Sequence, residues 1–461
     1  MNRRNFLRGA GVICSLGGMD IGKLAAKTGN PELKKIGISQ ARAAVDKEPL
    51  IRPFGFKGGY LTELWQSVVQ LRSTKGSSSI GLGTQSVLWS DAGLFTSHSE
   101  TDGNSLMYSM TKKALQIIEG QTFVDPIALQ DSILDEVYRF GQKLTGKKDL
   151  RKTFALNALV AVDNAVWMLY AQDNGITDFD KMIPVPYRPA LSNHHTKLAY
   201  VPLVSYNVPI EDLKKMTKEE GSFFIKVKLG MPGTQQEMAE KDKAHFTEIH
   251  KAIGSVETPY TESGKLLYYF DANGRYESKE LLQQFLEHAR KIGAFDQIAI
   301  VEEPFPEEFE TDVSDLGVRI SADESAHTDL DVLTRIEMGY KAIALKPIAK
   351  TMSMSMKIAK TAYEHGIPCF CADLTVNPIL VEWNKNIAAR LSRFPGLKTG
   401  LLETNGAQNY KNWDTLCSYN SSNGASWTKI SQGVFELDKE YYRQSGGIFK
   451  KSLHYQELFK S

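Results

Sequence analysis

A parallel α/β barrel preceded by a smaller α+β domain is the fold class this sequence predicts, and three observations predict it. Five successive apolar runs, FFIKVKLG, LLYYFDANG, IAIVEEP, VRISADES and AIALKP, carry charged residues where each strand passes into a loop. Stretches with helical periodicity separate the runs, so the strands are expected to be parallel and wound as successive β-α units. The chain has 461 residues, too many for one ordinary domain and suited to one large barrel with a smaller companion.

The elements follow in order. Asn2-Arg3-Arg4-Asn5-Phe6-Leu7-Arg8 resembles a twin-arginine export signal, with Gly9 to Met19 as a short apolar core and Ala41-Arg42-Ala43 as a cleavage site. Residues 1–43 are therefore expected to be a signal segment, the export machinery a partner, and the mature protein periplasmic or otherwise exported. Cys14 follows Ile13 rather than a small residue, which argues against a lipoprotein anchor.

Residues 44–190 read as the α+β domain. GGYLTELWQSVVQLRS and SSIGLGTQSVLWSD alternate as strands do. Helices are expected over Ser105 to Glu119, Pro126 to Leu144 and Leu150 to Asn174, the last closed by Gly175. The proline-rich stretch Asp178 to Lys197 reads as a linker.

Residues 191–410 read as the barrel. LAYVPLVSYN is its first strand, the five quoted runs are strands two to six, PCFCAD is the seventh and TGLLETNG the eighth. Gln235 to Ile253, Ser278 to Ile292, Asp329 to Met338 and Ser353 to His365 supply an outer ring of helices. Residues 411–461 are polar and aromatic and are expected to return onto the α+β domain.

The formal charge of +1 gives no reason to expect nucleic acid or an anionic membrane as partner. No run of about 18 apolar residues is present, so no membrane-spanning helix is expected. Of the four cysteines, Cys369 and Cys371 lie two apart on one strand and should be buried and unbridged.

The chemistry sits at the strand ends, which converge on one mouth in a closed barrel. In FFIKVKLG, Ile225, Val227 and Leu229 form one face, so Lys226 and Lys228 point into the barrel, where ammonium groups are costly without partners. Taken singly, Asp271-Ala272-Asn273-Gly274 is a turn, Glu302-Glu303-Pro304 an acidic loop, Asp323-Glu324-Ser325 a helix cap and Lys346 a surface lysine. Together, at five successive strand ends, Asp271, Glu302 and Asp323 flanked by lysines read as a Mg²⁺ or Mn²⁺ site, since no histidine or cysteine joins them.

This pattern resembles the enolase superfamily, in particular its muconate-lactonizing branch with dipeptide epimerases and N-acylamino acid racemases. The matching residues are KVK on strand two, DAN on three, the glutamate before Glu-Pro on four, DES on five and the lysine of strand six. The resemblance implies a (β/α)7β barrel, a modified TIM barrel, with an N-terminal α+β capping domain. It implies Asp271, Glu302 and Asp323 as metal ligands, Lys228 and Lys346 as acid and base, and Lys226 as support for the substrate carboxylate. Glu303 stands where glutamine is usual, and Thr351-Met352 replace a glycine pair. Glu403-Thr404-Asn405 ends strand eight where two aspartates are common. The histidine base of the mandelate-racemase branch is missing.

The expected activity is metal-dependent removal of the α-proton of a small carboxylate through an enediolate, with two-base epimerisation of a dipeptide or amino-acid derivative first. Lys226 beside Lys228 is expected to depress the base's pKa. Asp373 or Glu403 would hold a substrate ammonium and Asn273 would contact the substrate. Trp89, Phe95 and His98 are specificity candidates in the capping-domain loops. A sugar-acid or hydroxy-acid dehydratase is the alternative on the same site. A glycosidase leaves the lysines unexplained, and a non-catalytic binding barrel would not need both. Substrate identity and oligomeric state, homo-oligomer included, stay open.

Overall fold

The computed structural model describes residues 34–57 and 59–460; the export-type motif and its apolar core lie outside them. The chain opens with an antiparallel sheet ordered β3-β2-β1-β4, made of β1 (Ile36–Phe56), β2 (Gly59–Ser73), β3 (Ser78–Gln85) and β4 (Thr122–Phe123). The boundary drawn after Ala43 falls inside β1, where Ala41, Arg42 and Ala43 pair with Leu71, Gln70 and Val69. Strand propensity is low over ISQARAAVDKE, and most of these residues are half-buried. The strand exists because β2 supplies its hydrogen-bonding partner, which local pattern does not reveal. The expected second strand ends early, because Val87–Ser90 turns into a short helix.

Three helices cover this sheet: α1 (Glu100–Ile118), α2 (Pro126–Thr145) and α3 (Lys152–Asn174). The helix α3 is long and apolar enough to cross a membrane, but its apolar window is wholly buried in the protein. Gly81 explains how closely it packs, because a Cβ there would lie 2.1 Å from the Ala161 carbonyl oxygen and 2.2 Å from the Ala165 nitrogen. Only glycine lets the strand backbone touch the helix backbone. The 179–191 stretch, expected as a linker, forms short helical turns (Phe179–Met182 and Val185–Leu191).

The barrel strands are β5 (Lys197–Val201) with β6 (Leu203–Val204), β7 (Phe224–Lys228), β8 (Leu267–Asp271), β9 (Ile298–Glu302), β10 (Ile320–Ala322), β11 (Ala342–Leu345), β12 (Cys369–Cys371) and β13 (Gly400–Glu403). Every neighbouring pair from β6 to β13 is parallel, and β13 pairs with β5. β5 and β6 are one extended segment split at Pro202, whose missing N–H interrupts the ladder. The half before Pro202 pairs with β13 and the half after it with β7, which closes the ring of eight. The outer helices include α4 (Gln235–Ile253), α5 (Lys279–Lys291), α6 (Asp329–Glu337), α7 (Met352–Glu364) and α8 (Pro378–Ala388). A hairpin of β14 (Ile430–Ser431) and β15 (Val434–Glu436) adds antiparallel to β5.

The C-terminal stretch reaches β1: Leu50 bridges Tyr410, and the His454 Nε2 lies 2.7 Å from Asp46 Oδ2. Cys369 and Cys371 are buried free thiols, and burial pushes the Cys369 thiol up to about 12.

Candidate active site

Alternation along β7 sends Lys226 and Lys228 to the barrel interior, and the same alternation brings Tyr269 and Asp271 inward from β8. The adjacent register sets Asp271 beside Glu302 and Glu302 beside Ser321, two residues before Asp323. Lys226, Lys228, Asp271, Asn273, Lys346, Asp373 and Glu403 line one cavity of about 40 Å³, roofed by Phe54, Phe56 and Trp89 of the capping domain. Glu302 and Asp323 have no exposed surface and do not line it. Lys228 on β7 and Lys346 after β11 stand four strands apart in a ring of eight, on opposite sides of the cavity.

The ammonium of Lys226 is the hub. It lies 3.0 Å from Asp271, 2.8 Å from Glu302 and 3.0 Å from Glu403, and donates to the Tyr269 hydroxyl at 2.9 Å. Lys228 donates to Asp271 Oδ2 and to Asn273 Oδ1, each at 2.6 Å. Lys346 donates to Asp323 Oδ2 at 2.5 Å, and the Trp89 indole N–H reaches the same oxygen at 3.1 Å. Lys350, one turn further on and fully buried, lies 3.4 Å from Asp323 Oδ1 and donates to the Ala326 carbonyl at 3.0 Å.

Charge settles on these groups by competition. Burial alone would push the Lys226 ammonium down, but Asp271, Glu302 and Glu403 override it and hold it well above its ordinary value. Burial acts on Lys346 in the same way, and Asp323 and Glu302 again win. Three carboxylates thus govern the charge of Lys226. Asp271 is held well below the usual carboxylate range, since Lys226 and Lys228 overcome its burial. Glu302 goes the other way: burial and the negative Asp271 push it well up, and it takes the Tyr269 hydroxyl as donor. Burial leaves Lys350 with a lowered pKa that Asp323 only partly offsets.

The metal expectation can be tested on these atoms. Among the described residues no three histidine, cysteine, aspartate or glutamate side chains converge closely enough to hold a metal ion as they stand. The Lys226 ammonium lies between Asp271 and Glu302 instead. However, Glu302 Oε1 and Asp323 Oδ1 are buried oxygens with no hydrogen-bond partner. Buried carboxylate oxygens without donors are costly, and hard oxygen donors of this kind suit Mg²⁺. The donor chemistry, hard carboxylate oxygens of which two lack a hydrogen-bond partner, is of the kind a divalent cation takes.

The remaining candidates divide. Asp373 lines the cavity and accepts from the Asn405 N–H at 2.7 Å through Oδ2, while its Oδ1 is buried without a hydrogen-bond partner. Burial and the nearby Glu403 push its carboxyl up to about 7. Glu403 Oε2 is already shared between Lys226 and the Asp373 N–H. Trp89 reaches the site; Phe95 packs near Gly59, His98 is exposed, and neither lines the cavity.

Glu303, the departure after Glu302, turns away with a φ of 40° and accepts from the Asp323 N–H at 2.7 Å, bracing the next strand end. Three groups went unread in the sequence: Tyr269, Lys350 and Lys57. Tyr269 shares the strand phase of Asp271, which marks it as inward. Lys350 follows the strand-six lysine by four residues and is fully buried beside Asp323. Glu324 accepts from the Asn273 amide at 2.9 Å and pairs with Lys57 of the capping loop at 2.9 Å. Nothing in the local sequence of Lys57 points to that contact.

No protein-family model and no curated protein matches the chain. Solved structures do. A member of the enolase superfamily from Listeria innocua aligns with a TM-score of 0.57 at 18% identity, covering 82% of this chain and 88% of its own. A dipeptide epimerase from Enterococcus faecalis, complexed with Mg and L-Leu-L-Tyr, aligns with 0.55 at 17%, covering 79% and 92%. An L-talarate dehydratase from Polaromonas sp. JS666, complexed with Mg and L-glucarate, aligns with 0.58 at 15%, covering 87% and 93%. The fold is that of the enolase superfamily, a barrel with an α+β capping domain.

Proposed function

We propose that this chain is an enzyme of the enolase superfamily that removes and returns the α-proton of a small carboxylate, inverting the stereocentre of an amino-acid derivative or dipeptide. One observation carries the reading: Lys228 and Lys346 face a single cavity from opposite sides of the barrel. A proton removed on one face of a planar carbon and returned on the other gives inversion.

Asp271, Glu302 and Asp323 are the residues that would hold Mg²⁺, with Mn²⁺ as the substitute. Bound there, the cation supplies stabilisation of the second negative charge that develops when an α-proton leaves a carboxylate. The chain's own groups do the rest. Lys346, kept protonated by Asp323 and Glu302 in spite of burial, is the proton donor in one direction. Lys228 is the base in that direction, and the roles exchange for the opposite stereoisomer. Asp373 Oδ1, buried without a donor, accepts the N–H of the substrate's amine or amide. Phe54, Phe56 and Trp89 roof the cavity and keep water from the reacting carbon. The Mg-bound epimerase and dehydratase among the structural neighbours support metal-assisted proton abstraction and leave the choice between inversion and elimination to the lysines.

The test is exchange of the α-proton with solvent deuterium. Lys228→Ala should abolish exchange from one stereoisomer and Lys346→Ala from the other, each by about 10²- to 10⁴-fold, while both lose inversion. Exchange confined to one stereoisomer of every candidate, with elimination products, would replace the epimerase reading by the dehydratase.

A further inference from the structure

The inner cavity, about 40 Å³, shares Phe54, Phe56 and Leu203 as walls with an outer cavity of about 360 Å³. The inner space holds about three water-sized probes, enough for the reacting carbon and its carboxylate but not for a whole derivative. The rest of a substrate must extend past Phe54 and Phe56 into the outer space. That space is lined by Arg52 and Arg275, with Asp212 the single carboxylate among its described walls.

Arg275 is built into this wall. It lies two residues after Asn273, whose side chain contacts the Lys228 amine. Its own N–H donates to the Ala272 carbonyl at 3.0 Å and its carbonyl accepts from the Gln235 amide at 2.9 Å. Its stem lies against Gly230, where φ is +89° and an added Cβ would sit 2.6 Å from the Arg275 Cγ. The loop carrying Gly230 is itself pinned: Asp242 accepts from the Gly230 and Met231 N–H groups at 2.8 and 3.2 Å, and Tyr206 donates to the Leu229 carbonyl at 3.0 Å. Asp242 also accepts from the Tyr276 hydroxyl at 2.9 Å, so its oxygens are committed. The Arg275 guanidinium has no hydrogen bond or ion pair among the described residues. A half-buried fork of five donors, fixed along its stem and free at its head, is suited to a planar anion.

We propose that Arg275 binds a second, distal carboxylate of the substrate in the outer cavity. The substrate class is then an amino-acid derivative whose N-acyl group or second residue ends in an acid. This rests on the α-proton chemistry proposed above, and it assigns Arg52, which is exposed, only a supporting field.

The experiment compares N-glutaryl-alanine with N-pentanoyl-alanine, equal in chain length and differing in the terminal carboxylate. Binding is read by calorimetry in Mg²⁺ buffer, so it does not depend on turnover. The full-length protein should bind the glutaryl compound about 10- to 100-fold more tightly, the range of a charged hydrogen bond. Arg275→Gln should erase that ratio and Arg275→Glu should reverse it, with affinity for the pentanoyl compound unchanged; Arg52→Gln should leave most of it. Equal binding of the two compounds by the wild type, or a ratio that survives in Arg275→Glu, overturns the distal-carboxylate assignment. Selective binding without deuterium exchange in either compound would keep Arg275 as an anion site and overturn the chemistry instead.

Discussion

Replacing Lys226 by Met removes the one ammonium that touches three carboxylates. In the wild type that ammonium has Asp271, Glu302, Glu403 and the Tyr269 hydroxyl within 3.0 Å. After replacement Asp271 keeps Lys228 and Glu403 keeps the Asp373 N–H, whereas Glu302 keeps only the Tyr269 hydroxyl. Removing one partner from a buried ion pair costs about 3–5 kcal/mol, so without metal the melting temperature should fall by roughly 3–6 °C. The same change removes the positive charge between Asp271 and Glu302 and leaves Glu302 without a cation. Mg²⁺ at a hundred times its dissociation constant returns about 2.7 kcal/mol. Differential scanning fluorimetry in EDTA and in Mg²⁺ should therefore show a larger metal-induced rise for Lys226→Met than for wild type. A variant as stable as wild type in EDTA would mean that the ion network does not hold the strand ends. A variant destabilised but indifferent to Mg²⁺ and Mn²⁺ would refute the metal assignment.

Three further outcomes are expected. Thr351 has a φ of 74° and a ψ of 154°, caps α7 through the Met354 N–H and donates to Gln130 at 2.7 Å; Thr351→Val keeps the strain and loses both bonds, costing about 2 kcal/mol, whereas Thr351→Gly loses the bonds but relieves about 1–3 kcal/mol of strain and should stay near wild type in urea unfolding. Asp163 of α3 accepts from the Ser353 N–H at 3.0 Å at the start of α7, and burial pushes its carboxyl up to about 7. A raised folded pKa favours the protonated form, so its contribution is fullest near pH 4 and is lost as pH rises through 7; the stability of Asp163→Asn relative to wild type should climb by up to about 4 kcal/mol over that window. Replacing Arg3 and Arg4 together by Lys should trap the protein in the cytoplasm, as read by cell fractionation, if the proposed export signal is recognised by its arginine pair.

The barrel was legible because its strands are short apolar runs with charge only at one end, a contrast that survives in one dimension. The site was legible for the same reason: Lys226, Lys228, Asp271, Glu302, Asp323 and Lys346 each interrupt a run that should be apolar. β1 was not legible, since ISQARAAVDKE is half-buried and owes its strand to β2. Tyr269 and Lys350 were hidden by type, as an aromatic in a strand and a lysine before a helix have ordinary explanations. Lys57 was hidden by distance, because its partner Glu324 belongs to a strand end far along the chain.

The closure of this molecule joins its extremes. Arg42 donates to the Phe459 carbonyl across 417 positions, Asp46 meets His454 across 408, and β5 finds its partners only in β13 and β15. A polypeptide emerging from the ribosome amino end first can assemble its first sheet, whose strands all lie within residues 36–123, but the ring of strands waits for β13 and the contacts over β1 for His454 and Phe459. Closure of the barrel should therefore come late, and truncation before β13 should leave an unclosed sheet rather than a slightly shortened native protein. A pulse-chase proteolysis experiment on ribosome-bound chains should find β5 unprotected until β13 has emerged.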